Sequence, residues 1–391
     1  MVWPSNTPLQ RPDDSDAGID VTDDFEPFAQ RNDVFTRAFW DETVRSARSD
    51  AFFASYRMEA APRRGDGFTQ RDFALRNASW LMSDLISNRA GADGIREGFQ
   101  AAIRPDTPVA QDQVAIDDPE KMSSEIKRIA KFFGADLCGI TTLDDRWQYA
   151  SRVDTRDMSD APNDLPEEIT HVIVMGHQME ESLVATYPSA LAGAATGREY
   201  SHEAAIVMQT AAYIRNLGYQ AVASMNDTGL VIPYALKAGL GEYARNQMVI
   251  TPEFGPRLRF SKIYTNLPLA VDAPRKRGVA AFCDICTKCA DACPVKALPY
   301  GLPQVGGTTP SAIKGVRKWT SDAEKCFGFW AKMASDCAIC MRVCPFNRDF
   351  SQTKHRLWLR LALSRFRRLA LWLDRNRGKR RKPGDWWASS G

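Results

Sequence analysis

The segments 283-CDICTKCADACP-294 and 326-CFGFWAKMASDCAICMRVCP-345 decide how this chain is read. The first runs C-x2-C-x2-C-x3-C-P through Cys283, Cys286, Cys289, Cys293 and Pro294. The second is stretched: ten residues separate Cys326 from Cys337, and Cys340, Cys344 and Pro345 follow. Four thiolates at such spacings are what a cubane iron–sulfur cluster requires, and in two-cluster modules the final cysteine of a run ligates the other cluster. The expected ligand sets are therefore Cys283, Cys286 and Cys289 with Cys344, and Cys326, Cys337 and Cys340 with Cys293. Zinc is a competing reading, but structural zinc favours two short pairs over a three-plus-one run. A disulfide framework suits small secreted chains better than one of 391 residues. Electrons pass through this segment; the remainder of the chain decides where they go.

Eight of the nine cysteines lie in these two runs, and Cys138, in an apolar stretch, is expected to be a buried core thiol. The length allows two to three domains. With 44% hydrophobic and 25% charged residues the composition is that of a folded protein. A net charge of +3 is too small to indicate nucleic acid. No apolar run approaches the ~18 residues of a membrane span. Met1 to Asp24 is polar and acidic, without an apolar signal core or a twin arginine, so a cytoplasmic location and a mobile leader are expected.

Outward from the cysteines, residues 25–60 are rich in aromatics and suggest short packed helices, and 72–99 has helical apolar spacing. Residues 105–118 form a polar linker. A fold then begins. A helix is expected over 123–133, capped by Ser123 or Ser124 and ended by Gly134, with buried strands at 135–140 and 170–176. A helix over 201–217 capped by Ser201, a strand at 220–224, a short helix at 232–238 and a strand at 260–267 complete the alternation. Helices alternating with buried strands indicate an α/β (α+β) domain over 119–275. Arg275 to Gly278 is a basic hinge. In the tail, Leu, Trp and Phe alternate with Arg and Lys over 355–382. The plain reading is a solvated helix packed by one face; the sharper one is a basic amphipathic helix against a membrane surface or an acidic electron donor.

The segment 226–259 has its own chemistry. It carries Asn226-Asp-Thr-Gly-Leu230, Ala238-Gly-Leu-Gly-Glu-Tyr-Ala-Arg245 and Thr251-Pro-Glu-Phe-Gly-Pro-Arg-Leu-Arg259. Gly239 and Gly241 permit a tight turn or close backbone approach to a large flat ligand. No third glycine completes a dinucleotide fingerprint. His171 and His177 read as packed core histidines.

Gly-Leu-Gly-Glu-x-x-Arg, then Thr-Pro-Glu-x-Gly-Pro-x-x-Arg, then the two cysteine runs resembles the reductive dehalogenases, which are corrinoid and iron–sulfur enzymes. The resemblance covers about 119–350 and, more weakly, 25–60. It implies a nitroreductase-like cobalamin-binding domain at 119–275 and a ferredoxin-like domain with two [4Fe-4S] clusters at 276–350. An N-terminal segment, 1–118, would contribute to the pocket, and 351–391 would be a basic amphipathic tail. It implies cobalamin bound base-off, with no histidine below cobalt, near Gly239, Leu240, Gly241 and Glu242. The catalytic tyrosine looks like Tyr200, the basic residue that supports it Arg259 and the pocket asparagine Asn226. Thr196 and Trp330 fall at pocket positions, and Trp40 and Phe39 would close the pocket from the N-terminal segment.

The implied reaction takes two electrons and one proton to replace halogen by hydrogen in an organohalide. Iron–sulfur centres reach the required potentials, the corrinoid carries the hard step, and the protein supplies an acid. A phenol of pKa about 10 becomes a better acid beside a guanidinium. Electrons would come from an external donor such as ferredoxin or flavodoxin; no nucleic-acid partner is expected, and the tail allows peripheral membrane contact. Two alternatives stand beside this reading. An epoxyqueuosine reductase-like enzyme shares the cofactors but acts on a tRNA base, and a non-catalytic electron carrier would need no closed pocket.

Overall fold

The computed structural model describes residues 9–57, 65–95, 108–163 and 165–389. Its scaffold is a four-stranded sheet between two layers. In chain order the principal elements are α1 (Gln70–Ala92), α2 (Pro119–Phe133), β1 (Leu137–Thr142), β2 (His171–Gln178), α3 (Ala190–Asn216), β3 (Ala221–Ser224), α4 (Val231–Lys237) and β4 (Leu258–Thr265). The cluster segment adds α5 (Val279–Ile285), α6 (Lys288–Ala292) and α7 (Ala323–Met333), and the tail adds α8 (Thr353–Ala362) and α9 (Arg367–Leu373). The sheet order is β1-β2-β4-β3. Every pairing is antiparallel, so the helix–strand alternation yields a mixed α/β fold without a parallel sheet. Strand alternation sorts β2 between the layers: Ile173 and Met175 face α2 and α3, while Val172 and Val174 face α4 and the N-terminal segment. Burying each such side chain contributes roughly 2 kcal/mol. Cys138 packs beside the first of these cores, and burial pushes its thiol up to about 12.

Three expectations are corrected. The sequence reading starts the long helix at Ser201, but α3 begins at Ala190, capped by the Ser189 hydroxyl, and runs for 27 residues. Its first two turns, Ala-Leu-Ala-Gly-Ala-Ala-Thr-Gly, are small on all sides and show no apolar stripe, because α1 packs tightly against them. Ser201 lies mid-helix, and its hydroxyl donates to Ser79 O of α1 at 2.6 Å. The cap of α2 is Asp118, with Pro119 at the first turn; Ser123 instead donates to backbone carbonyls. The leader is not mobile over its described part. Ala17, Ile19, Val21 and Phe25 enter the second core, and Asp14 forms a buried ion pair with Arg146 at 2.7 Å. Residues 1–8, and those parts of the expected 72–99 helix and 105–118 linker that fall within 96–107, lie outside the described residues.

The tail folds back on the body. Trp358 of α8 lies against Phe282 and Phe346, and Asp374, fully buried, accepts from Lys288 Nζ at 2.6 Å and pairs with Arg348. Farther along, Trp387 Nε1 donates to Asp72 Oδ1 of α1 at 2.9 Å. Among the described residues no helix is long and apolar enough to cross a membrane.

Candidate active site and cluster segment

Tyr200 sits at the middle of α3 with its ring held on both faces. The Arg259 guanidinium of β4 lies 3.7 Å from the ring centroid on one side. Trp80 of α1 stacks at 4.7 Å and 29°. Gly197, one turn before, makes room for that indole: a Cβ there would stand 2.6 Å from Trp80 Nε1. The Asn226 side-chain amide donates to the Tyr200 hydroxyl at 2.8 Å. Asn226 is presented by a turn that buried groups hold rigid. Asp227 Oδ1 accepts from Met225 N at 2.8 Å, and Lys262 Nζ donates to Met225 O at 2.7 Å and Asp227 O at 3.0 Å. Burial pushes Lys262 down to about 8 and raises Asp227 above the usual carboxylate range. The expected Tyr200, Arg259 and Asn226 are thus brought together.

Two carboxyls flank the tyrosine on α3. Burial pushes both Glu199 and Glu203 up to about 7. Glu203 Oε1 is 3.8 Å from Arg259 Nε. His177, opposite Arg259 in the sheet register, bonds Ser261 through Nε2 at 2.9 Å, and burial drives it down to about 3. It is a packed core histidine, as its position in the strand suggested.

The remaining expected pocket residues divide. Thr196 is one turn from Tyr200, and its hydroxyl meets Tyr187 Oη at 2.8 Å; Tyr187 in turn donates to Asp336, the neighbour of Cys337. Trp330 and Phe39 join Tyr200 through a run of rings. Trp80 touches Tyr56 at 5.1 Å, Tyr56 touches Phe52 at 5.4 Å, and Phe52 meets Trp330 at 6.3 Å. Phe39 stacks on Phe53 at the outer end of the run. Trp40 turns elsewhere: its indole donates to Arg31 O at 3.1 Å. Trp80 and Tyr56, which contact the site, were not singled out in the sequence. The small residue Gly197 beside Tyr200 was the available signal for Trp80.

A cavity of about 380 Å³ opens between the α/β scaffold and the cluster segment. Trp147, Tyr149, Asn226, Leu230, Ile232 and Lys318 are on its wall, and no histidine is among its described lining residues. Lys318 is pushed down to about 8 by burial.

The Gly239–Arg245 motif, expected to contact a flat ligand, makes close contacts with the protein itself. Gly239 abuts Ala273 O, a Cβ on Gly241 would stand 2.5 Å from Ile250 O, and Leu240 is core. Glu242 lines the cavity, yet its carboxylate is occupied: it accepts from Arg277 N, Gly278 N and Val279 N at 2.7, 3.1 and 3.2 Å, capping α5. A carboxylate at a helix N-terminus is favoured by the orphan N–H groups and the dipole. Arg245, fully buried, donates to Cys283 O, Cys286 O, Pro299 O and Gly301 O. The motif ties the scaffold to the first cysteine loop. Gly255 and Arg257 do the same for the second, against Phe346 O and Asn347.

Thiols of the two runs lie near one another, although among the described residues no three His, Cys, Asp or Glu side chains stand as a metal-holding group. Cys344 is raised first by burial and then by the charges of Cys283, Cys289 and Cys286. Cys326 is pushed up to about 11, by burial and then by Cys293, and Cys340 is raised by burial, Cys326 and Cys337. Buried thiols of this kind ionise only with a compensating metal charge, so the donor chemistry fits clusters.

Comparison with known proteins agrees. Residues 282–347 match the model of a 4Fe-4S double cluster binding domain, and 153–269 that of a reductive dehalogenase subunit. A tetrachloroethene reductive dehalogenase of Desulfitobacterium hafniense is 36% identical over 274 residues, 60% of this chain and 50% of that one. Its counterpart from Sulfurospirillum multivorans is 33% identical, covering 62% and 52%. The chain spans about half the length of these curated relatives. A solved reductive dehalogenase described as carrying out B12-dependent dehalogenation superposes with a TM-score of 0.70 at 23% identity, over 93% of this chain and 48% of that one.

Proposed function

The chain belongs to the reductive dehalogenase family, and from that premise we propose that it removes halide reductively from an organohalide, using cobalamin and two [4Fe-4S] clusters. The observation that carries this reading is the double role of Asn226, which lines the large cavity and donates to the Tyr200 hydroxyl. An acid is thereby set at the edge of a space that adjoins both the scaffold and the cysteine segment.

The cavity fits a corrinoid in character. Its wall is largely apolar, and the Trp147 indole N–H, on that wall, is buried without a protein partner. Trp147, Tyr149, Leu230 and Ile232 would hold the group, which when bound supplies the strongly reducing chemistry. This chain's residues supply the proton and its control. Tyr200 gives its phenolic proton to carbon as halide leaves. Asn226 fixes the direction of the hydroxyl, and Arg259 over the ring stabilises the negative charge left behind. Trp80 holds the ring in place.

Electrons enter from an acidic donor of the ferredoxin or flavodoxin type, docking on the face of α8 and α9. That face is rich in arginine, with Arg360, Arg365, Arg368 and Arg375 exposed around Phe366, Leu369 and Trp372. Its inner side backs the Cys283 and Cys344 loops through Trp358, which supports entry at that cluster. Donor-driven turnover should fall with salt and with Arg368→Glu, while turnover with an artificial reductant stays level. Binding to anionic vesicles instead of a donor would point to membrane contact.

The direct test is anaerobic reconstitution with cobalamin and a halide-release screen over an organohalide panel, with an epoxyqueuosine-containing tRNA as control. Tyr200→Phe should retain iron and corrinoid and lose about 10²–10⁴-fold in kcat. Halide release at the unaltered rate by that variant would refute the assignment.

A further inference from the structure

Glu203 is a buried acid for which the mechanism above has no use. It stands on α3 three residues after Tyr200, is 0% exposed, and neither carboxylate oxygen has a hydrogen-bond partner. Its close cation is Arg259, the guanidinium that also covers the Tyr200 ring. An ionised carboxylate in a dry site without donors is strongly disfavoured, so it either takes a proton or relies on a neighbouring cation. Arg259 therefore serves both the Glu203 carboxylate and the Tyr200 ring, and its charge also reaches Glu199.

We propose that Glu203 is a positioning residue for the Tyr200–Arg259 pair: ionised, it draws the guanidinium's charge to itself, and neutral, it leaves that charge to Tyr200. The proposal rests on the reading of Tyr200 as the acid. The groups facing Glu203 set the balance. On β4, Arg259 and Lys262 favour its ionised form. On α3, Glu199, one turn earlier, opposes it. On β2, His177 is the register partner of Arg259 and is kept uncharged by burial and by Arg259 itself. His202, on the exposed side of α3, acts only weakly on that histidine. Burial outweighs the cations and pushes Glu203 up to about 7. Exchange between the two arrangements then falls near neutral pH.

The sign follows from the charges. Below neutrality Glu203 is neutral, and the charge of Arg259 then favours the phenolate that Tyr200 becomes on donating its proton. Above neutrality the new carboxylate cancels that field, and Tyr200 becomes a poorer acid. Glu203 itself donates no proton to carbon; the proton spent by Tyr200 returns from solvent.

The test uses the reconstituted holoenzyme and Glu203→Gln, which keeps size and removes the titration. Wild type should lose kcat as pH rises through about 7, and E203Q should lack that limb, standing about tenfold above wild type at about pH 9. Glu203→Asp, which keeps a shorter carboxyl, should restore part of the limb. Infrared difference spectroscopy gives a second readout without turnover. Wild type and Tyr200→Phe should both show protonated-carboxyl absorption that vanishes near neutral pH; E203Q should lose the Glu203 share of it, leaving only the part that Glu199→Gln removes, and in Arg259→Leu the Glu203 share should persist to higher pH. An unchanged pH profile in E203Q, or carboxyl absorption equal in E203Q and wild type, overturns the proposal. Because the infrared arm needs no substrate, absence of any dehalogenation tells against the functional reading alone.

Discussion

Replacing Arg245 with methionine should strip the first cysteine set of its cluster while leaving the scaffold folded. The guanidinium reaches four carbonyls: Cys286 O at 3.0 Å, Pro299 O at 2.8 Å, Gly301 O at 2.7 Å, and Cys283 O at 2.7 Å. Bonds to a charged donor contribute about 1.5–3 kcal/mol each, and a carbonyl left buried without a partner costs about 1–3 kcal/mol. These terms overlap, so the local cost is roughly 4–5 kcal/mol, the upper end for one substitution. That rivals the stability of a small domain, about 5–15 kcal/mol, but it falls on the loop from Cys283 to Gly301. The sheet cores around Ile173 and Val174 contain none of these groups. Iron per chain after anaerobic reconstitution should fall from about eight to about four, with far-ultraviolet circular dichroism nearly unchanged. Arg245→Lys should be intermediate, since an ammonium has only three donors and no planar fork. Full iron in the methionine variant would refute the reasoning, because the loop would then hold its own shape.

Two further outcomes follow from the same geometry. Gly197→Ala drives a methyl into Trp80, so overpacking should cost about 1–3 kcal/mol in chemical denaturation and alter the near-ultraviolet dichroism of the Trp80–Tyr200 stack; unchanged values would mean α1 shifts freely. His177 is held near 3 when folded and titrates near 6.5 when unfolded, so protons bind the unfolded chain preferentially and stability is lost as pH falls from about 6.5 towards 3. His177→Gln should remove up to about 5 kcal/mol of that acid-side loss, and denaturation series with equal pH slopes for both proteins would contradict it.

What the sequence disclosed follows from the range of the forces involved. Cysteine spacing is a local constraint, so the double-cluster segment was legible, and so were the buried strands, whose apolar runs report their own environment. Ala190 to Gly197 was not legible as helix, because its smallness answers to Trp80 and Asp336, far away in the chain. The Gly239–Arg245 motif shows the opposite limit. Its residues were noticed, but a glycine pair beside a glutamate and an arginine looks the same whether it faces a ligand or the protein's own backbone. The placement of Val279 N–H and Cys283 O beside Glu242 and Arg245 shows the contacts with the protein's own backbone, which no local pattern announces. Glu203 was hidden more deeply still. It is an ordinary first-turn acid if α3 starts at Ser201, and a buried, unbonded carboxylate once α3 starts at Ala190. A helix boundary shifted by three turns thus converts a solvated charge into the group that competes with Tyr200 for Arg259.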